Sequence, residues 1–155
     1  MVHPDGDRLA MIALASDHAG FAYKEKIKGL LTEMQLPFKD FGTHSSESTD
    51  YPDYAHAAST AISKGECDRG ILVCGTGIGM SIVANKHKGI RAAACETVAA
   101  AELSRKHNNA NVLCIGERLT TWDAAQSIVK MFLKTEFEGG RHERRVAKIH
   151  SLTSC

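Results

Sequence analysis

The sequence predicts an α/β fold: a five-stranded parallel sheet with helices on both faces. Two observations carry that prediction. Short apolar runs rich in branched residues alternate five times with stretches of helical period. Such alternation joins parallel strands through right-handed crossovers. In addition, each apolar run ends in a polar or glycine-rich turn. Ligands of such sheets bind there, beyond the C-terminal strand ends and near a switch in strand order.

The elements follow in order. Residues 1–10 (MVHPDGDRLA) lack the apolar core of a signal peptide and are expected to form a short flexible extension. Met11 to Ala15 is the first predicted strand, closed by the polar turn Ser16-Asp17-His18-Ala19-Gly20. Phe21 to Met34 reads as an amphipathic helix, with Phe21, Ile27, Leu30, Leu31 and Met34 inside and Lys24, Lys26 and Lys28 outside. Pro37 to Phe41 alternates as a second strand. Gly42 to Pro52 is the longest structureless piece, and its length points to function. Asp53 to Lys64 is a helix with Gly65 just past its end.

Gly70 to Val73 is the third strand. Gly75, Gly77 and Gly79 then stand at alternate positions, and MSIVANK opens a helix. Ile90 to Cys95 is the fourth strand. Thr97 can cap an alanine-rich helix to Lys106, which leaves through His107-Asn108-Asn109. Ala110 to Ile115 is the fifth strand, closed by Gly116-Glu117-Arg118. Thr120 or Thr121 can cap a helix through Leu133, Gly139-Gly140 breaks the chain, and Arg141 to Leu152 forms a last, basic helix.

At 155 residues, the stretch 11–155 fits one domain. A net charge of +1 gives no pull toward nucleic acid or an acidic membrane surface. No apolar run is long enough to span a bilayer. Five cysteines without a CxxC suit reduced thiols in a cytoplasmic α/β core, rather than disulfides or structural zinc.

The chemistry centres on GILVCGTGIGMS at 70–81. A tight glycine loop at a helix N-terminus gathers backbone N–H groups for a phosphate or a developing oxyanion. Cys74, at its mouth, is either a reactive thiol or a small core hydrophobe. Asp17, His18, Glu96 and Arg118 also follow strand ends, which favours the reactive thiol. Asp17-His18 reads as an acid/base pair, a phosphate contact, or a solvated turn with a helix cap. His107 fits a helix C-terminal charge, and Asn108 an exit turn. Arg141 and Arg145, four apart, present one face able to grip a phosphate, or a solvated basic helix. A dinucleotide fingerprint is disfavoured, because Met80 stands where its third glycine belongs and the loop opens the third βα unit. The hydrolase elbow and the Walker lysine pattern are both absent.

Seven stretches now match as a set: SDHAGF (16–21), STDYPDYA (48–55), CGTGIGMSIVANK (74–86), GIRAA (89–93), LSRKHNNANVL (103–113), IGER (115–118) and EGGRHERRV (138–146). In this order they resemble the type B ribose-5-phosphate isomerase family, which also includes galactose-6-phosphate and allose-6-phosphate isomerases. The resemblance implies a three-layer Rossmann-like fold. It also implies cofactor-independent aldose–ketose isomerisation of a phosphorylated pentose through a cis-enediolate, without metal or nucleotide.

By the same resemblance, Cys74 matches the thiolate base. Gly75, Thr76, Gly77, Ile78 and Gly79 match the loop that holds the enediolate oxygen. His107 matches the ring-opening histidine, with Asp17 opposite. Tyr51, Thr76 and Asn108 match sugar contacts. His18, Arg141 and Arg145 match phosphate contacts, and Arg118 a further binding position. The family pattern implies a homodimer or a dimer of dimers with shared sites. His107, Asn108 and the two arginines would then come from the partner. Cys95-Glu96-Thr97 departs from relatives that carry His-Asp there, which leaves the far end of the sugar undefined.

Overall fold

The computed structural model describes residues 10–155. The extension expected over 1–10 lies outside the described residues, apart from Ala10, which is buried. The strands are β1 (Ile12–Ser16), β2 (Phe38–Asp40), β3 (Arg69–Cys74), β4 (Ala92–Ala94) and β5 (Val112–Gly116). The helices are α1 (Phe21–Glu33), α2 (Tyr51–Ser63), α3 (Ile78–Ala84), α4 (Val98–Asn108), α5 (Trp122–Lys134) and α6 (Arg141–Thr153). All strand pairs are parallel, in the order β2-β1-β3-β5-β4. The chain leaves β1 toward β2 on one side and returns to β3 on the other. That reversal opens a crevice above the ends of β1 and β3, where a ligand fits without colliding with a crossover.

Strand alternation divides the core in two. Ile12, Leu14, Ile71, Val73, Leu113 and Ile115 pack with residues of α1 and α5 such as Ile27, Leu31, Ile128 and Phe132. Ala13, Ala15, Leu72, Cys74 and Cys114 face the other way, against Ala55, Ala58, Met80 and Ala84 of α2 and α3. The second face is built from small side chains. Their size lets α2 and α3 lie close to the sheet and holds their N-termini beside the strand ends. Thr97 and Thr121 cap α4 and α5, accepting from the N–H groups of Ala100 and Ala124.

Three expectations are corrected. Lys24 does not point outward: it is fully buried. Its Nζ donates to both carboxylate oxygens of Asp40 at 2.8 Å and to the Thr43 carbonyl at 2.5 Å. The helix after the long loop begins at Tyr51 rather than Asp53, with Pro52 in its first turn, where the missing N–H costs nothing. The fourth strand is only three residues long, because Arg91 N–H is drawn away to the Asn111 side chain.

Burial alone would raise the Asp40 carboxyl. The hydrogen bonds from Lys24 and the Gly42 N–H, with the Lys24 charge, outweigh it and hold the group below the usual carboxylate range. The folded value is therefore lower than the unfolded one. The stabilisation is present above the unfolded value and is lost as pH falls through the folded one. Lys24→Met is expected to cost about 3 kcal/mol at neutral pH in urea unfolding, because it breaks a largely buried ion pair and leaves Asp40 only the half-exposed Lys28, 3.2 Å away, as a charge partner. It should also flatten the loss of stability below about pH 4. An unchanged urea midpoint would contradict this account.

Candidate active site

The crevice at the switch point is a cleft of about 200 Å³. Asp17, His18, Tyr51, Cys74, Thr76 and Arg118 line it, together with Ala19, Gly75 and Gly79. Most of the residues expected from the sequence are thus brought together by three elements: the end of β1, the start of α2, and the β3–α3 loop with its β5 support.

The loop conformation follows from its glycines. Gly77 has φ +79°, in the left-handed region, and a Cβ there would lie 3.0 Å from the Ile115 carbonyl carbon. Glycine is therefore required on both counts. Its N–H donates to Cys74 Sγ at 3.1 Å, which ties the sulfur to the loop it precedes. At Gly79 a Cβ would lie 2.8 Å from the Tyr51 ring, so the missing side chain is what lets Tyr51 close over the loop. The loop is held from below by β5, since Glu117 and Arg118 donate their N–H groups to the carbonyls of Cys74 and Gly75. Thr76 spends part of its hydroxyl on the start of α3, accepting from the Ile78 N–H at 3.2 Å. Ile78 itself is half exposed on the far side of the turn.

Asp17 is buried and accepts from the Gly20 N–H at 3.1 Å. It is both the cap of the turn after β1 and a wall of the cleft. His18 places Nδ1 3.1 Å from the Thr49 N–H and 3.2 Å from the Thr49 carbonyl. Nδ1 thus anchors the ring to the 42–50 loop whichever tautomer it adopts, and Nε2 is the nitrogen left to meet a ligand. Two further thiols, Cys95 and Cys114, are buried in the core. Burial pushes Cys114 well up, helped by Cys74 and Cys95, and burial raises Cys95 as well.

His107, Asn108, Arg141 and Arg145 do not line this cleft. His107 and Asn108 belong to the last turn of α4 rather than to an exit loop. Arg141 and Arg145 are exposed on the first turns of α6. His107 stacks on His142, with ring centroids 4.3 Å apart and planes 15° from parallel. Glu138 Oε2 lies 3.8 Å from His142 Nε2. Burial, then His107 and Arg141, lower the pKa of His142 and favour its neutral form. The ligand atoms of His107, Glu138 and His142 lie within 4.8 Å of one another. In stacked rings, however, nitrogen lone pairs run side by side instead of converging, which is a supporting stack rather than a chelate. Sequence reasoning passed over His142 and Glu138, although both stand in the stretch EGGRHERRV. Their spacing of four on the way into a helix was the available signal. No helix among the described residues is long and apolar enough to cross a membrane.

Known proteins share this arrangement. A family model described as Ribose/Galactose Isomerase matches residues 12–149. Ribose-5-phosphate isomerase B of Escherichia coli is 48% identical over 141 residues, spanning 91% of this chain and 95% of that one. The solved structure of the Clostridium thermocellum enzyme of that name superposes with a TM-score of 0.91 at 49% identity, covering 93% of this chain and 97% of that one. The Mycoplasma genitalium enzyme, solved with bound ribulose-5-phosphate, gives a TM-score of 0.89 at 42% identity, with 93% and 96% covered. With the family model, the near full-length match at 48% identity and the fold in agreement, the chain belongs to the ribose/galactose isomerase family.

Proposed function

We propose that this chain is a cofactor-independent aldose–ketose isomerase that interconverts ribose 5-phosphate and ribulose 5-phosphate, with Cys74 as the carbon base. The observation that carries the reading is the Cys74 sulfur at the cleft wall with the Gly77 N–H donated to it. A core thiol needs no such donor. The likeness to enzymes named for ribose 5-phosphate favours a five-carbon substrate.

The chemistry needs four functions. The sugar ring is opened by delivering a proton to the ring oxygen and removing one from the anomeric hydroxyl, with His107 and Asp17 as the pair. The Cys74 thiolate takes the C2 proton, and the electron pair moves into a cis-enediolate. The N–H groups at the mouth of the glycine loop stabilise the negative oxygen as it forms. The hydroxyl proton on O2 passes to O1 across the cis-enediolate while the thiol returns its proton to C1, giving the ketose with no net loss or gain of atoms. His18 from one side, and Arg141 and Arg145 from another, hold the phosphate.

A single chain's cleft lacks half of this set. We therefore place His107, Asn108, Arg141 and Arg145 of one subunit over the Cys74 cleft of the next, in a homodimer or a dimer of dimers.

Three outcomes are expected. Cys74→Ala lowers kcat by about 10²–10⁴-fold while circular dichroism is unchanged; near-normal turnover would remove Cys74 as base. Arg141→Ala raises KM for ribose 5-phosphate far more than for free ribose in a parallel assay. Equal loss would move the phosphate elsewhere, and faster turnover of allose or galactose 6-phosphate would reassign the substrate. Finally, chains carrying Cys74→Ala and chains carrying His107→Ala, each inactive alone, are mixed after reversible dissociation. Random reassembly of a symmetric dimer restores about a quarter of the wild-type sites. If both groups served a site within one chain, no activity would return.

A further inference from the structure

Away from the cleft, α2 and α3 border an open groove of about 740 Å³ lined by Asp53, His56, Ile82, Val83, Lys86 and His87, with Pro52 at its end. His56 is exposed and His87 half-buried. His56 Nδ1 lies 2.7 Å from His87 Nε2, and the ring planes are inclined by 43°. His87 Nδ1 lies 3.0 Å from the Val83 carbonyl oxygen. A carbonyl only accepts, so His87 Nδ1 carries the hydrogen and Nε2 presents its lone pair. His56 Nδ1 faces that lone pair at 2.7 Å, and one proton at most fits between them. A ring nitrogen fixed by an Nδ1–H···O=C bond, with the other nitrogen bare, is how metal-binding histidines are held.

We propose that His56 and His87 form a binding site for one divalent transition-metal ion, of the zinc or nickel class, that cross-links α2 to the turn that follows α3. The ion replaces the shared proton, which moves to His56 Nε2, so two neutral imidazoles bind it with no net proton release. Bonds of about 2.0–2.1 Å in tetrahedral geometry set the two nitrogens about 3.3 Å apart. That spread is small and is reached by tilting the exposed His56. Asp53, three residues before His56 on the same helix, offsets the charge of Lys86 on the groove. The contrast with His107 and His142 is geometric, because there the rings stack at 15° and do not converge. The ion would tie α2 to the chain just after α3, away from the helix N-termini that carry Tyr51 and the glycine loop, so its first effect is on stability.

The test uses the full chain, stripped with a chelator and titrated with zinc or nickel ions. The expected result is one ion per chain and a raised melting temperature. His56→Ala and His87→Ala should each weaken binding by at least about tenfold, since even removing an outer partner of a metal ligand costs about 10–100-fold. The Cys74→Ala/His142→Ala variant should bind as the wild type does, and the Co²⁺ form should lack a thiolate charge-transfer band. Circular dichroism checks that each variant is folded. The inference is overturned if the wild type takes up no ion, if the His56→Ala/His87→Ala double variant binds normally, or if the cobalt spectrum reports sulfur ligation.

Discussion

A lysine ammonium with no access to solvent fixes one wall of the cleft. Lys24 Nζ binds both oxygens of Asp40 on β2 and the carbonyl of Thr43 in the following loop. Removing such a charge from water costs several kcal/mol, and it is tolerable only because three acceptors meet it there. The same three contacts tie α1, β2 and the loop into one unit. The Gly42 carbonyl then accepts from Ser16 N–H, and Thr43 N–H donates to the Ser16 carbonyl, which extends the sheet edge beyond β2. From there the loop reaches Thr49, which holds His18, and ends at Tyr51, which covers Gly79. His18 and Tyr51 occupy their places because a buried salt bridge positions the loop between them. An apolar pair would pack equally well, but it would have no reason to grip the Thr43 carbonyl.

The opposite wall rests on sterics rather than charge. The β3–α3 loop lies so close to β5 that a side chain at position 77 would meet the Ile115 backbone. The two N–H bonds from Glu117 and Arg118 need that closeness. The closeness also turns the Gly77 N–H back toward the sulfur of the strand it has just left. Charge selects one wall and the absence of side chains the other, and Cys74 and Asp17 lie where the two meet.

Much of this was legible in the sequence. Five strands and six helices fall within a few residues of where apolar runs and helical periods place them, and the family resemblance drawn from seven stretches holds. Cys74, Asp17, His18, Tyr51, Thr76 and Arg118 share a cleft because all stand at strand or helix ends on one edge of the sheet. Lys24 was misread because a lysine counts as outward in any hydrophobic period. Yet it stands three residues before Ile27 and seven before Leu31, on the buried stripe itself. Only its distant partner Asp40, sixteen residues away, explains it, and a one-dimensional pattern does not contain that pairing. Tyr51 and Pro52 belong to the helix and not to the polar loop, since proline suits the first turn of a helix. His142 makes its contact across the gap between α4 and α6, which no local spacing reports.

The distribution of site residues also constrains how the chain is used. Asp17, His18 and Cys74 surround a cleft, while Arg141 and Arg145 stand exposed on a helix that carries Ile149 and Leu152 exposed as well. Two arginines one turn apart bind little by themselves in water, where exposed ion pairs contribute about 0–1 kcal/mol. The apolar residues farther along the same helix give it a reason to be covered, and covering it would take the arginines out of water. The arginines that would hold the phosphate and the apolar residues that would drive association thus lie on one element. Under the proposed assembly, a chain that bound its own copy through α6 would bring Arg141 and Arg145 to its partner in the same step that buried Ile149 and Leu152. Catalysis and assembly would then stand or fall together, which a site contained in one chain would not require.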